Sequence, residues 1–312
     1  YTHQLASLEA AHRARDRVDA QPALVVTAGT GAGKTESFLL PMLERLWSTP
    51  PIPRNGVSAI ILYPMNALVN DQVGRLDKWL DGQKRVSFFH FTSETPENAR
   101  IADDRNLPPA TAARFRTRQQ ARGQEDRHGN RIEDGSGPQP QILVTNYSML
   151  EYMLCRPQDA VFFGGNLRVI VLDEAHIYTG NLAAEITLLL RRVQMRCGRD
   201  PRQVLHIATS ATMGGGSEEL RSFAARLFSK EADLVNVIEG RQTRPPLEVA
   251  SPQGFLPGTL AEALHETPPP ADDTVLNREG TPEFIPASDE SWSRWAELLP
   301  RLVDVEQAQS AM

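Results

Sequence analysis

The stretch TAGTGAGKTE, Thr27 to Glu36, decides the fold. It follows a short apolar run, 23–26, and precedes a segment of helical period that begins at Lys34. Glycines let the backbone of such a turn curl so that successive N–H groups face one point, and the following helix N-terminus adds partial positive charge. This layout predicts a phosphate-binding loop, although Ala28 stands where the strict pattern has glycine. A glycine-rich turn before an ordinary helix is the alternative.

Each residue type in a phosphate-binding loop has a task. Lys34 would reach the β- and γ-phosphates of ATP, and the Thr35 hydroxyl would ligate Mg²⁺. ATP and Mg²⁺ are therefore the expected cofactors. The residues expected to contact the nucleotide here are Gly29, Thr30, Gly31, Ala32, Gly33, Lys34 and Thr35.

A second segment, VIVLDEAHIY (169–178), delivers two acids to the end of an apolar run. Ligands of open α/β sheets bind at the carboxyl ends of the strands. There Asp173 would hold Mg²⁺, and Glu174 would orient and deprotonate the water that attacks the γ-phosphate. An acidic pair also caps helices, but the upstream phosphate loop favours the catalytic interpretation.

A third segment, HIATSATMGG (206–215), ends an apolar run with small hydroxyl side chains. The hydroxyls of TSAT (209–212) would lie at the same sheet edge and hydrogen-bond Asp173, His176 or phosphate, with Ser210 and Thr212 as the expected coupling residues. A Ser/Thr-rich strand end is common, so the segment gains its meaning from its position after the other two.

Short β-branched runs alternate with longer segments of helical period, which predicts an α/β fold: a mostly parallel sheet with helices on both faces. The predicted strands are 23–27, 58–63, 86–91, 142–145, 168–172, 204–209 and 234–238. The predicted helices are 34–47, 66–80, 149–155, 182–196 and 217–228.

Two regions interrupt this alternation. Residues 92–140 mix Arg, Asp, Pro and Gly and are expected to form an insertion with one helix near 112–121. The rest of 1–244 forms the predicted nucleotide-binding domain. Residues 245–290 are expected to be an irregular, Pro-rich acidic linker, and 291–312 the start of a further helical element.

The composition excludes several classes of protein. The 312 residues are 40% apolar, which suits a globular core, and no apolar run is long enough for a membrane span. Cys155 and Cys197 have no CxxC partner, which argues against a zinc or disulfide framework and favours a reducing, cytoplasmic compartment. The net charge of −6 is concentrated after residue 250, and the body is not strongly basic. Because the chain starts at Tyr1, we expect a piece of a longer protein.

The ordered segments GAGKT, DEAH (173–176) and TSAT resemble the first RecA-like P-loop domain of superfamily 2 helicases of the DEAH-box type. Further resemblances are YTHQ to the adenine-reading motif, and YPMNALVNDQ (63–72) and TNYSMLEYML (145–154) to motifs that contact the nucleic-acid strand. The amino-acid sequences of these segments are most similar to those of large bacterial helicases of the YprA/Lhr-like group, which includes members of the Druantia and DISARM phage-defence systems. That group usually carries a C-terminal cysteine cluster, which this sequence lacks.

The resemblance assigns roles to residues outside the phosphate loop. It implies that Gln4 contacts the adenine base and that His176 couples the nucleotide state to the strand site. It also implies a second RecA-like domain, whose arginine would complete ATP hydrolysis. No arginine motif of that kind follows residue 245, so this chain alone is expected to hydrolyse ATP weakly.

Nucleic acid is the expected partner, with DNA favoured over RNA. We expect the strand phosphates to be contacted by Asn66, Arg75, Thr145 and Asn146. Asn and Thr before a helix are also ordinary N-caps, and the two roles are compatible. Eight arginines and seven acids between 97 and 134 balance, which favours a solvated, mobile surface for the insertion over a DNA contact.

Two functions remain open at this stage. The first is the ATP-binding motor domain of a DNA helicase or translocase acting in anti-phage defence or repair, with other subunits of such a system as further partners. The second is a nucleotide-gated DNA-binding or complex-assembly module that unwinds nothing.

Overall fold

The computed structural model describes residues 1–29, 33–64, 66–210 and 216–240, with only the backbone of 66–72. It also gives the backbone of two strands further along the chain. The chain divides into two units, Tyr1–Thr243 and Arg244–Met312. The predicted helical element at 291–312 and most of the predicted linker lie outside the described residues.

The described residues of the first unit form one eight-stranded sheet. Its strands are β1 (Ala23–Thr27), β2 (Ala59–Tyr63), β3 (Phe88–Phe91), β4 (Arg114–Phe115), β5 (Ile142–Asn146), β6 (Val169–Leu172), β7 (Leu205–Ser210) and β8 (Val235–Glu239). Their order in the sheet is β4-β3-β5-β2-β6-β7-β1-β8, and each neighbouring pair is parallel. The predicted α/β class is therefore confirmed.

Helices cover both faces of this sheet because its strands alternate two apolar sides. In β2, Ile60 and Leu62 belong to one core cluster, while Ala59 and Ile61 belong to the other. The α-helices of the described residues are α1 (Thr2–Arg13), α2 (Lys34–Ser48), α3 (Asn66–Trp79), α4 (Ala99–Asp104), α5 (Arg118–Ala121), α6 (Tyr147–Cys155), α7 (Gly180–Arg196) and α8 (Ser217–Phe228). The first cluster packs under α6, α7 and α8, and the second under α1, α2 and α3.

The insertion differs from its sequence-based description. The single helix expected near 112–121 is wrong, because Arg114–Phe115 pairs with β3 as strand β4 and only Arg118–Ala121 is helical. A further short helix, α4, lies earlier in the segment and is capped by Asn98, whose side chain accepts from the Ile101 amide. The expectation of solvated side chains is also wrong for Arg116, Arg118 and Arg122, whose side chains are 13%, 15% and 3% exposed and ion-paired.

In the second unit, β9 (Asp273–Leu276) and β10 (Pro282–Ile285) form an antiparallel pair. These strands lie inside the stretch that the composition describes as an irregular linker. Within the described parts of the chain, no helix combines the length and apolar character required to cross a membrane.

Candidate nucleotide site and nucleic-acid surface

The three motifs meet at one edge of the sheet because their strands are neighbours. β7 lies between β6 and β1, so its carboxyl end separates the acid pair from the phosphate loop by one strand. In the register of these strands, Thr27 is opposite Ser210, and Leu172 is opposite Ala208. This edge is where parallel α/β sheets bind ligands.

Lys34, the first residue of α2, bridges the phosphate loop and the acid pair. Its Nζ lies 3.1 Å from Glu174 Oε1 and 3.4 Å from Glu174 Oε2. The side chains are 11% and 23% exposed, so the pair is partly shielded from water. The two residues predicted to bind phosphate and to activate water are therefore in contact across the cleft.

Asp173, the first residue of the acid pair, is held by a residue of β7. It is 7% exposed, and its Oδ1 accepts a short hydrogen bond from the Thr209 hydroxyl. Burial raises the pKa of the Asp173 carboxyl, and the Thr209 bond partly opposes that rise. The Asp173 amide donates to the Leu62 carbonyl over 3.0 Å, which fixes the backbone at the end of β6.

Glu174 adopts a left-handed backbone conformation, with φ 52° and ψ 46°. Such a conformation is uncommon for a residue other than glycine, and it turns the chain sharply after β6. Its amide donates to the Thr209 hydroxyl over 3.3 Å, while His176 Nδ1 lies 3.3 Å from its Oε2. The turn thus sends Asp173 towards β7 and Glu174 towards Lys34.

Gly33 joins the phosphate loop to α1. It has φ +72°, and a Cβ added there would clash with the Gln4 side chain. Gln4 Nε2 donates to the Gly33 carbonyl over 2.9 Å, and the Ser37 hydroxyl lies 3.3 Å from the same oxygen. The adenine contact predicted for Gln4 is untested by this geometry, which instead places its amide against the loop.

The residues at this edge suit a magnesium ion. Thr35, 8% exposed at the start of α2, and Asp173 offer hydroxyl and carboxylate oxygens, the hard ligands that Mg²⁺ prefers. Because Thr209 holds one carboxylate oxygen of Asp173, the side chain has a fixed orientation. Mg²⁺ is commonly bound by one or two carboxylates together with substrate phosphates and water. Among the described residues, no group of three or more His, Cys, Asp or Glu side chains is placed to hold a metal ion by itself.

The residues predicted to contact a nucleic-acid strand lie after β2 and β5, which are neighbours. The fully buried Thr145 donates its hydroxyl to the Phe91 carbonyl over 2.7 Å. Asn146 caps α6, and its Oδ1 accepts from the Met149 amide over 2.8 Å. Asn66 begins α3, and only its backbone is described. Arg75, on the same helix, pairs with Glu36 of α2 over 3.2 Å.

The hydroxyl of the TSAT segment that reaches Asp173 is that of Thr209. Thr209 belongs to the predicted segment but is not one of the two residues, Ser210 and Thr212, that were singled out from it. Ser210 is fully buried at the end of β7, and its backbone carbonyl accepts from the Ala28 amide over 3.2 Å. Gly29 is described and exposed. The predicted site residues that lie outside the described ones are Thr30, Gly31, Ala32 and Thr212.

The family model for the DEAD/DEAH box helicase matches residues 1–220, which is most of the chain. The chain belongs to the DEAD/DEAH box helicase family. The resemblance stated from the motifs is thereby confirmed.

Two relatives of this DEAD/DEAH box domain have sequence identities below 30%. The Druantia protein DruE of Escherichia coli strain UMEA 4076-1 is 29% identical, over 80% of this chain and 18% of DruE. The ATP-dependent helicase YprA of Bacillus subtilis strain 168 is 27% identical, over 70% of this chain and 23% of YprA. The chain therefore spans about a fifth of the length of these relatives.

Solved structures confirm the RecA-like fold. The crystal structure of the DUF1998 helicase MrfA bound to DNA matches with a TM-score of 0.52 and 23% identity. The match covers 77% of this chain and 27% of that one.

Proposed function

We propose that this chain is the ATP-binding motor domain of a DNA-dependent helicase or translocase. The observation that carries the proposal is the convergence of Lys34, Glu174, Asp173 and Thr209 at one sheet edge, in a chain of the DEAD/DEAH box helicase family. The phosphate loop would bind ATP through Lys34 and its backbone amides, from Gly29 to Thr35. Gln4 would read the adenine base next to that loop.

The acid pair would divide the chemistry. Glu174, released from Lys34 when phosphate takes the ammonium, would accept a proton from the attacking water. Asp173 and Thr35 would hold Mg²⁺, which would neutralise charge on the phosphate oxygens. His176, with Ser210 and Thr212 at the end of β7, would transmit the nucleotide state to the strand site.

The strand would cross the carboxyl ends of β2 and β5, where Asn66, Arg75, Thr145 and Asn146 are the proposed contacts. Thr145 would have to exchange its bond to the Phe91 carbonyl for one to phosphate, because a hydroxyl has one proton to donate. DNA is proposed over RNA because MrfA, solved with DNA, is 23% identical to this chain, whereas Mss116, solved with single-stranded RNA, is 18% identical.

A second RecA-like domain, elsewhere in the full-length protein, would supply the arginine that completes hydrolysis. We propose a cytoplasmic location for the protein. Its similarity to the Druantia protein DruE supports a role in anti-phage defence, together with other subunits of such a system. DNA repair is the alternative role.

The test is ATP turnover by the full-length protein, with and without single-stranded DNA. The proposal predicts stimulation by DNA and its loss in Glu174→Gln. Turnover that ignores DNA and survives Glu174→Gln would contradict it. A strand-displacement assay on forked DNA then separates a motor from a nucleotide-gated binding module, which would bind the fork and release no strand.

A further inference from the structure

Arginines of the insertion form an ion-pair cluster that includes a residue outside the insertion. Arg122, after α5, donates from Nε to Asp159 Oδ1 over 2.8 Å. Asp159 is fully buried in the 3-10 helix Pro157–Phe162, which directly follows α6. Arg156 lies 3.6 Å from the other oxygen of Asp159. The insertion is therefore tied to the C-terminal end of α6.

A second arginine ties the insertion to the opposite end of α6. The Arg118 guanidinium lies 4.7 Å from the centroid of the Phe91 ring, and its Nη2 donates to the Thr92 carbonyl over 3.1 Å. The Phe91 carbonyl accepts the Thr145 hydroxyl. Thr145 immediately precedes Asn146, which caps α6. Arg118 thus contacts the end of β3, whose Phe91 carbonyl in turn holds Thr145 at the end of β5.

Glu97 joins the two arginines into one unit. Its Oε1 lies 2.5 Å from Arg122 Nη1, and its Oε2 lies 3.7 Å from Arg118 Nη1. Arg122 and Asp159 have side chains only 3% and 0% exposed, so removing either partner would leave a buried charge without its counterpart. A cluster with that penalty holds its elements in one arrangement.

We propose that the insertion is a brace for α6, and that Arg118 and Arg122 are positioning residues for nucleic-acid binding at Thr145 and Asn146. This inference rests on the proposed function of the TNYS segment. Neither arginine needs to touch the strand, because each is already bonded inside the protein. The brace would fix the α6 N-terminus, whose amides and Asn146 cap face the proposed strand path.

The test compares two arginine variants of the full-length protein. Arg118→Met keeps an unbranched apolar stem and removes the group that contacts Phe91 and Thr92. Arg127→Met is the matched control, since the Arg127 guanidinium lies 4.3 Å from the Phe115 centroid and its Nη1 donates to the Thr111 and Arg114 carbonyls. Both variants therefore lose one arginine–phenylalanine contact, but only Arg118 contacts the end of β3, where the Phe91 carbonyl accepts the Thr145 hydroxyl.

For Arg118→Met we expect the DNA concentration for half-maximal stimulation of ATP turnover to rise about 5- to 20-fold. The KM for ATP should change less than about twofold, because Arg118 contacts β3, whereas the phosphate loop follows β1, which is far from β3 in the strand order. Backbone hydrogen exchange in Tyr147–Cys155 should become faster. Arg127→Met should leave all three quantities unchanged.

The inference is overturned if Arg118→Met and Arg127→Met have the same DNA dependence, or if Arg118→Met raises the KM for ATP by the same factor. If Arg118→Met does not fold, Arg118→Lys keeps the charge and removes the planar group, and we expect a smaller rise of about two- to fivefold. A lysine variant with wild-type DNA dependence and α6 exchange would contradict the brace. Wild-type turnover without DNA stimulation would instead refute the proposed function, and the exchange measurement would still test the brace.

Discussion

Lys34 Nζ donates a hydrogen bond to Glu174 Oε1 over 3.1 Å, so the phosphate loop and the acid pair are in direct contact. This lysine is also the proposed ligand of the β- and γ-phosphates. In the proposed function, ATP and Glu174 would therefore compete for one ammonium group. The competition gives a mechanism by which binding of ATP would free the proposed general base at the moment when its substrate arrives.

The first prediction concerns Glu174→Gln. A neutral amide holds the ammonium less strongly than a carboxylate, so we expect ATP to bind about two- to fivefold more tightly. Turnover should fall by about 10²- to 10⁴-fold because the general base is lost. Isothermal titration and a phosphate-release assay measure the two effects. The control is Glu231→Gln, which removes a surface carboxylate paired with Arg202 and should change neither quantity. Weaker ATP binding with unchanged turnover would contradict the assignment.

The second prediction concerns the Thr209–Asp173 hydrogen bond. Thr209→Val preserves shape but removes the hydroxyl that donates to a buried carboxylate and accepts from the Glu174 amide. We expect the free energy of unfolding to fall by about 1–3 kcal/mol. Thr209→Ser keeps the hydroxyl and should lose less. Urea denaturation of the two variants measures the difference, and a valine variant as stable as the serine variant would show that the bond is unimportant.

The third prediction contrasts two glycines. Gly33 has φ +72° and no room for a Cβ beside Gln4, whereas a Cβ at Gly74 in α3 meets nothing within 4 Å. Gly33→Ala should lower the free energy of unfolding by about 1–2 kcal/mol or more and weaken ATP binding, because the loop must shift. Gly74→Ala should raise it by about 0.5–1 kcal/mol through helix propensity. Thermal denaturation checks both signs, and equal effects would argue against the described loop geometry.

The fourth prediction concerns pH. Burial, with a smaller contribution from Arg114, lowers the pKa of His90 from 6.5 to about 4. Between these values the unfolded chain binds a proton that the folded chain does not, so the free energy of unfolding falls as pH decreases from 6.5 to 4. His90 should account for about 1–3 kcal/mol of that fall. His90→Gln should flatten the dependence. Parallel pH profiles for the wild-type protein and the variant would contradict the prediction.

The sequence predicted the sheet well because its central strands are continuous β-branched and apolar runs, which have few other interpretations. Helix α1 had no counterpart among the predicted helices. Its buried residues are His3, Ser7 and Ala11, which recur at helical spacing but are small or polar. A hydrophobic period cannot reveal a helix that packs through such side chains.

The placement of Lys34 and the acid pair at one sheet edge could be predicted because each motif carries its residues consecutively, while their catalytic roles stay predictions. The choice between Thr209 and Ser210 could not, since it depends on which side of β7 each hydroxyl occupies and on its register with β6. A motif gives the residue types of TSAT but not the direction in which each points.

The insertion shows a different limit. Counting arginines and acids gave a balanced charge and an expectation of solvated side chains. The structure pairs Arg122 with Glu97 and Asp159, the second of which lies outside the insertion. Charge totals along the chain contain no information about such partners, because the pairing is set by the fold.

The central claim is that the cleft between Lys34 and the acid pair holds the triphosphate of ATP. A crystal structure of the full-length protein with a non-hydrolysable ATP analogue and Mg²⁺ tests it most directly. We predict that Lys34 Nζ leaves Glu174 and lies about 3 Å from a β- or γ-phosphate oxygen, with Asp173 facing the metal. A structure in which Lys34 still contacts Glu174 while the phosphates bind elsewhere would contradict the account.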